Sequence, residues 1–165
     1  MTVWIENTTD TLLFENYEET IKEIVRLSLE AENYPENVEI SVTIVDNNEI
    51  HRINKEFRNI DAPTDVLSFP LLEFENGVLV EKTAKENINI DTNEFVMGDI
   101  IISAERAAEQ AEEFGHSLKR EVAFLTAHSM YHLMGYDHIE DEEEKIMSAK
   151  QEAVLQKAGI TREVK

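Results

Sequence analysis

The chain has 165 residues, of which 42% are hydrophobic and none is cysteine, and its formal net charge is −20. This length and apolar content suit one domain with a real core, exclude a disordered chain, and rule out disulfides and thiolate metal sites, so any metal must rest on His, Asp or Glu. Residues 51–70 and 116–139 are each net neutral and hold Arg52, Lys55, Arg58, Lys119 and Arg120, so the acid lies on the flanks and argues against broad salt-driven nucleic-acid binding, but not against a local polyanion site.

In chain order, Val3–Ile5 reads as a short strand. Apolar residues from Phe14 through Tyr17, Ile21, Ile24, Val25 and Leu27 recur at helical spacing until Tyr34-Pro35 ends the helix. Val38–Val45 alternates and is β-branched, as a strand should be. Asp46 or Asn47 is placed to cap a helix bearing Ile50, Ile53 and Phe57. Asp61-Ala62-Pro63 is a turn, and Asp65–Phe69 a short strand stopped by Pro70. Residues 71–94 are acidic and weakly patterned, and are expected to form an exposed excursion, a two-stranded flap turning at Asn76-Gly77.

Phe95–Ile102 returns as a strand. Ser103 caps an alanine-rich helix ending near Gly115, and Ser117 caps the next, which runs to about Met134 with Gly135 as its left-handed terminus. Glu140–Glu144 opens a last helix, with Lys150 and Lys157 further along, a polarity that suits the helix dipole. The expected architecture is a single α/β (α+β) domain over residues 1–165, with a small mixed sheet of about four strands and about five helices. No run approaches the ~20 apolar residues of a bilayer span, so no membrane partner is expected. The first residues, Met1–Asn7, resemble no secretory signal, and a cytoplasmic location is expected.

The chemistry concentrates in His128-Ser-Met-Tyr-His132-Leu-Met-Gly135-Tyr-Asp-His138. Residues four apart on a helix share a face, so two imidazoles there can converge on one ion at ~2.0–2.1 Å. Gly135 ends the helix and lets a turn carry His138 back as a third ligand. Three neutral histidines leave one position for water, the arrangement of a catalytic metal site. Imidazole suits zinc, nickel, copper and iron alike; zinc, one ion per chain, is the expected cofactor, with nickel or another divalent ion as the alternative. The spacing also matches the metzincin protease motif, but Ser129 stands where that motif has its general-base Glu, which argues against peptide hydrolysis by that mechanism. A histidine outside such a motif, as at His51 or His116, is more often hydrogen-bonded or at the surface.

Four segments together resemble the YbeY family of bacterial rRNA-processing endoribonucleases: the histidine motif ending Gly135-Tyr136-Asp137-His138; Asn54 and Arg58 followed by Thr64–Pro70; Gly98-Asp99-Ile100; and Gly115-His116-Ser117 with Glu121. They span roughly residues 38–139. Ser129 departs from the family's usual glycine, and Tyr131 stands where an aliphatic residue is common. The resemblance implies a zinc-dependent, single-strand-specific endoribonuclease acting in 16S rRNA 3′-end maturation and ribosome quality control. It implies metal ligation by His128, His132 and His138, a functional arginine at Arg58, and contact with the small ribosomal subunit and its assembly factors. No DNA partner is expected.

Arg52, Lys55 and Arg58 recur every three residues as a basic stripe. Arg52 and Lys55 read as solvated charges among Glu49 and Glu56, whereas Arg58, at the helix end, is placed to hold a phosphate bidentately. Thr64, Asp65 and Ser68 are candidate substrate-binding residues, and His116, Asp137 and Ser129 candidates for proton transfer or ligand orientation. The nucleophile, a metal-bound hydroxide or the RNA 2′-OH, is left open. Two other classes remain: a metal-dependent hydrolase of peptides or small molecules, and a non-catalytic ribosome-assembly factor with a structural metal.

Overall fold

A computed structural model describes residues 1–75, 78–136 and 140–161, except for the side chain of Glu75. The elements run β1 (Thr2–Asn7), α1 (Tyr17–Ala31), β2 (Val38–Val45), α2 (Asn47–Arg58), β3 (Val66–Pro70), β4 (Phe74–Glu75), β5 (Val78–Leu79), α3 (Glu81–Glu86), β6 (Ile88–Asn89), β7 (Glu94–Ser103), α4 (Ala104–Phe114), α5 (Leu118–Leu133) and α6 (Asp141–Lys157). The described residues thus form one mixed α/β domain with six helices and a five-stranded sheet, one element of each kind more than the sequence pattern suggested.

Strand β7 is the hub. It lies parallel to β2, which is parallel to β1, while β3 and the short β6 pair with β7 antiparallel on its other side. The parallel trio follows from its helical crossovers: α1 returns the chain between β1 and β2. The main core fills one side of the sheet, where Ile40, Ile44, Ile100 and Ile102 meet Ile21, Ile24 and Leu29 of α1, Leu125 and Met130 of α5, and Met147 and Leu155 of α6. A smaller core of Val45, Ile50, Ile53 and Leu67 seats α2 on the other side.

The caps are where local chemistry places them. The side chains of Asp46, Ser103 and Ser117 accept the backbone N–H of Glu49 (2.8 Å), Arg106 (3.1 Å) and Arg120 (3.0 Å), each satisfying a donor that the first helical turn leaves over. Helix α5 is buried on almost every side, including Arg120, Glu121, Thr126, Ser129 and Tyr131, so it shows little amphipathic pattern. It is the central pillar of the fold. Among the described residues no helix is long and apolar enough to cross a membrane.

Three expectations need correction. Helix α1 begins at Tyr17 and not at Phe14, because Asn16 takes a left-handed conformation (φ 61°) that starts the helix after it. Phe57 does not join the buried face of α2; it is 65% exposed and meets Phe69 edge-on at 5.8 Å. Residues 71–94 do contain the small β4–β5 ladder, but also α3 and β6, and Leu72 and Ala84 are buried in the main core. Too few apolar residues anchor that segment to leave a periodic trace. The turn expected at Asn76-Gly77 lies outside the described residues.

Candidate active site

One wall of the site is the carboxyl-terminal half of α5. His128 and His132, one turn apart, present edge-to-face rings 4.6 Å apart, and their Nε2 atoms converge to 3.1 Å. Each ring is also held through its other nitrogen. His132 Nδ1 lies 3.1 Å from the carbonyl oxygen of Tyr136, and His128 Nδ1 lies 3.1 Å from the side-chain amide of Gln151 on α6. Phe124 stacks on His128 at 6.2 Å.

Behind the histidines, the chain turns at Gly135 with φ 90°. Only glycine fits there, for a Cβ would also stand 2.7 Å from Phe74 Cβ. The turn is tied down by Tyr136, whose hydroxyl donates to Glu32 at the end of α1. Lys150 reaches the same carboxylate at 3.0 Å and lies over the Tyr136 ring at 5.3 Å. Burial, and then the bond to Glu32, push the Tyr136 phenol pKa up, so it stays a donor. Burial, with Glu32 adding to it, does the same for Tyr131.

The opposite wall comes from the end of α2 and the start of β3. Asn59 closes α2 in a left-handed conformation (φ 59°), and buried Asn54 donates 2.9 Å to the Ala62 carbonyl, fixing the turn beyond. Arg58, the last helical residue, reaches over the sheet edge. Its guanidinium donates to the Ser68 carbonyl and sits 5.4 Å from the centre of the Phe69 ring. The Asp65 carboxylate accepts the Val66 backbone N–H at 2.7 Å and the Gln110 amide at 3.2 Å. Between the walls is a cleft of about 580 Å³ lined by Arg58, Thr64, Asp65, Ser68, His128, His132, Gly135 and Tyr136, among others. Residues separated by some seventy positions in sequence thus face one space.

Of the residues singled out in the sequence, the cleft gathers Arg58, Thr64, Asp65, Ser68, His128 and His132. His116 does not line it. Its Nε2 meets Glu121 Oε1 at 2.7 Å, and Gln110 bridges Glu121 Oε2 (2.7 Å) to Asp65, so among the described residues His116 is linked to the cleft wall through this series. Ser129 is fully buried, with no hydrogen-bond partner for its hydroxyl among the described residues and no share in the cleft lining. Arg52 is engaged by Glu49 and Glu56, Lys55 lies 3.9 Å from Asp61, and His51 bonds Asp61 at 2.7 Å. That bond with His51, and then Lys55, hold the Asp61 carboxyl below its usual range. Asp137 and His138 lie outside the described residues. Among the described residues no third His, Asp or Glu completes a metal cluster with the pair.

Sequence reading missed Gln151, Gln110, Glu32 and Lys150. Of these the sequence pattern marks Lys150 alone, as a positive charge along the last helix. Each acts across a long sequence separation, 118 residues in the case of Lys150 and Glu32.

The histidine pair also fits a shared ion. Two tetrahedral ligands at zinc distances of ~2.0–2.1 Å stand about 3.3 Å apart, close to the 3.1 Å between the two Nε2 atoms. His132 is prepared for this role, since Nδ1–H donation to the Tyr136 carbonyl leaves its Nε2 lone pair toward the cleft.

Comparison with known proteins shows what the chain is similar to. A sequence model of the family described as Endoribonuclease YbeY matches residues 4–159. A relative of that name from Lachnospira eligens is 47% identical over 169 aligned positions, covering 98% of this chain and all of the relative. Another from Thermoanaerobacter pseudethanolicus is 49% identical over 163 positions, with the same coverage. The solution structure of the Thermotoga maritima protein TM1509 superposes with a TM-score of 0.58 at 30% identity, covering 94% of this chain and 87% of that one.

Proposed function

This chain belongs to the YbeY family of endoribonucleases, and we propose that it is a zinc-dependent enzyme that cuts single-stranded RNA in the cleft between α5 and β3. The observation that carries the reading is the two-walled cleft: a convergent histidine pair on one side and Arg58 with polar groups on the other. His128 and His132 would hold the ion, with His138 as the third ligand. When bound, zinc supplies Lewis-acid polarisation of a phosphoryl oxygen and an acidified water.

The rest of the work falls to the chain's own groups. Arg58 exchanges its bond to the Ser68 carbonyl for a phosphate oxygen, adding charge-assisted donors where negative charge grows. Thr64 and Ser68 line the same wall, and their hydroxyls would orient the phosphate or ribose. Asp65, held by Val66 and Gln110, keeps a fixed acceptor there. One strand fits a cleft of about 580 Å³ better than a duplex does, and with net charge −20 the protein depends on these local contacts and not on a broad basic surface. The biological setting proposed with this activity is maturation of the 16S rRNA 3′ end and ribosome quality control in the cytoplasm, in contact with the small subunit and its assembly factors.

Ser129, buried and outside the lining, offers no base where a metzincin protease needs one, so RNA is favoured over peptide as substrate. The test is elemental analysis and RNA cleavage on the same untagged preparation, wild type beside His132→Ala. Expected are one zinc per chain and cleavage of single-stranded RNA, both lost in the folded variant. Metal-free wild type after zinc is offered, or a zinc-loaded protein that leaves RNA intact while hydrolysing casein, would overturn the reading. A 2′,3′-cyclic phosphate product would assign the nucleophile to the 2′-OH.

A further inference from the structure

We propose that Phe57 is a stacking platform for one base of the substrate strand, the base of a nucleotide adjoining the phosphate that Arg58 holds. The inference rests on the reading of the cleft as an RNA site and names one subsite of it. Among the described residues three phenylalanine or tryptophan side chains are well exposed: Trp4 (60%), Phe57 (65%) and Phe114 (61%). Exposure alone says little, since single apolar side chains are common on protein surfaces. Their surroundings tell them apart. The Trp4 indole N–H donates to the Glu39 carboxylate at 3.2 Å, and Phe114 follows Glu112 and Glu113, both exposed. A phosphate strand laid beside either ring would meet negative charge. Around Phe57 the acids are answered: Glu56 pairs with Arg52 at 2.7 Å, and Asp61 with His51 at 2.7 Å and Lys55 at 3.9 Å. The next residue is Arg58 itself.

Arg58 joins this ring to the cleft. Strand β3 ends the main sheet order, and its successive side chains point to opposite faces. Ser68 lines the cleft, whereas Phe69, half-buried, packs against the small core beneath α2. The Arg58 guanidinium spans that edge: it donates to the Ser68 carbonyl and lies over the Phe69 ring, 5.4 Å from its centre. Phe57 meets the same Phe69 ring, with centroids 5.8 Å apart and planes at 72°. A strand whose phosphate sits at Arg58 therefore passes beside Phe57 as it leaves the cleft over β3. An edge-to-face pair uses at most one face of each ring, which leaves a face of Phe57 for a base. Phe69 backs the ring, so it is ordered before RNA arrives and loses little freedom on binding. Bases of single-stranded RNA stack on such rings, and every base offers a flat face. The subsite thus requires a base without reading which base it is.

The test measures kcat/KM of the full chain on short single-stranded RNAs, either intact or with one abasic nucleotide placed in turn at each position around the cut. The proteins are wild type, Phe57→Ala, Phe57→Leu, Phe57→Tyr and Trp4→Ala. On intact RNA, Phe57→Ala should lose about 5–100-fold, the usual worth of one stacked base. Phe57→Leu, apolar but without a ring, should lose nearly as much. Phe57→Tyr should recover wild-type cleavage, and Trp4→Ala, which removes an exposed ring elsewhere, should match wild type. With wild type, an abasic nucleotide directly beside the cut should cause a similar loss. Phe57→Ala acting on that same RNA should lose no more than either change alone, because the two remove one contact. A Phe57→Ala or Phe57→Leu variant that cleaves like wild type, or losses that multiply at every abasic position, would overturn the platform. Should Phe57→Ala fail to fold, Phe57→Leu takes its place in the same comparison. Wild type that leaves RNA intact after zinc is offered would overturn the RNA reading and the platform together. Zinc-loaded, RNA-cleaving wild type in which no abasic position couples to Phe57 would overturn the platform only.

Discussion

Tyr136 grips His132 with its backbone and the rest of the protein with its side chain: its carbonyl oxygen lies 3.1 Å from His132 Nδ1, and its hydroxyl donates to Glu32. The left-handed turn at Gly135 sits between these two attachments. Helix α1, through Glu32, and α6, through Lys150, therefore both hold the segment that aims a metal-facing ring.

Removing the phenol tests this grip without touching the carbonyl. Tyr136→Phe should lower stability by about 1–2 kcal/mol, because Glu32 loses one of its two partners among the described residues, in a largely buried place. It should also weaken zinc binding by a few-fold through a looser turn. Urea titration and chelator competition read the two effects, and a variant with wild-type stability would show that Lys150 alone anchors Glu32.

The same cluster predicts how the protein responds to alkali. Burial raises the phenol pKa of Tyr34, Tyr131 and Tyr136, with the Glu32 charge adding to each. A group whose folded pKa is raised gives stability that is complete below its unfolded pKa, about 10 for tyrosine, and lost as pH climbs through the folded value. The urea midpoint should therefore hold up to about pH 10 and then fall, with the tyrosinate absorbance of these three residues rising only as the protein unfolds. Tyr136→Phe should shallow that fall. Ionisation of all tyrosines near pH 10 in a fully folded protein would contradict it.

Arg58 gives the sharpest functional contrast. Arg58 is an exposed residue that reaches the cleft from the helix end, so Arg58→Ala should leave the melting temperature nearly unchanged. RNA cleavage should nevertheless fall by about 10²–10³ in kcat, the usual loss of an oriented charged donor. Arg58→Lys should recover little, since a point charge does not reproduce the fork. A variant with normal kcat and raised KM would reassign Arg58 from transition-state stabilisation to substrate binding.

Much of this site could be read from sequence, and the parts that could not share a physical cause. The caps at Asp46, Ser103 and Ser117 are local chemistry, three residues from cap to N–H. The pairing of His128 with His132 is likewise written in helical period, and β2 appears with the bounds its alternation gave. Gln151 and Glu32 carry no such mark. They matter because α6 and α1 happen to pack against α5, and a single buried polar residue on a packed helix has no periodicity of its own. Phe57 misled for the converse reason: its spacing matched a buried face, but that face of α2 runs out at the sheet edge.

Gln110 is the test of the buried series behind Asp65. It donates to Asp65 and to Glu121, which is 2% exposed and otherwise bonded to His116. Gln110→Leu should cost about 2–3 kcal/mol, as a buried carboxylate loses a donor. RNA cleavage should drop more than the folded fraction does, because Asp65 is no longer held. If cleavage tracks the folded fraction alone, the series is structural and His116 has no influence on the cleft.

Gly98 decides how close β3 can come to β7, and so where the Arg58 wall stands. Its φ is 147°, and a Cβ there would lie 2.3 Å from the Phe69 carbonyl oxygen, 3.0 Å from Leu133 Cδ2 and 3.1 Å from Pro70 Cα. The worst of these contacts is with backbone, so no change of side-chain rotamer relieves it. Gly98→Ala has to push β3 outward, moving Ser68 and the carbonyl that Arg58 holds away from His132. Gly115 supplies the control, because it is also left-handed (φ 69°) but none of the described residues lies within 4 Å of its missing Cβ. Gly115→Ala should cost about 1–2 kcal/mol from backbone strain alone, and leave cleavage per folded molecule intact. Gly98→Ala should cost about 3 kcal/mol or more and lower cleavage even where urea curves show the protein folded. Equal losses in both variants would mean that conformation, and not the close approach of the strands, is what glycine provides at position 98.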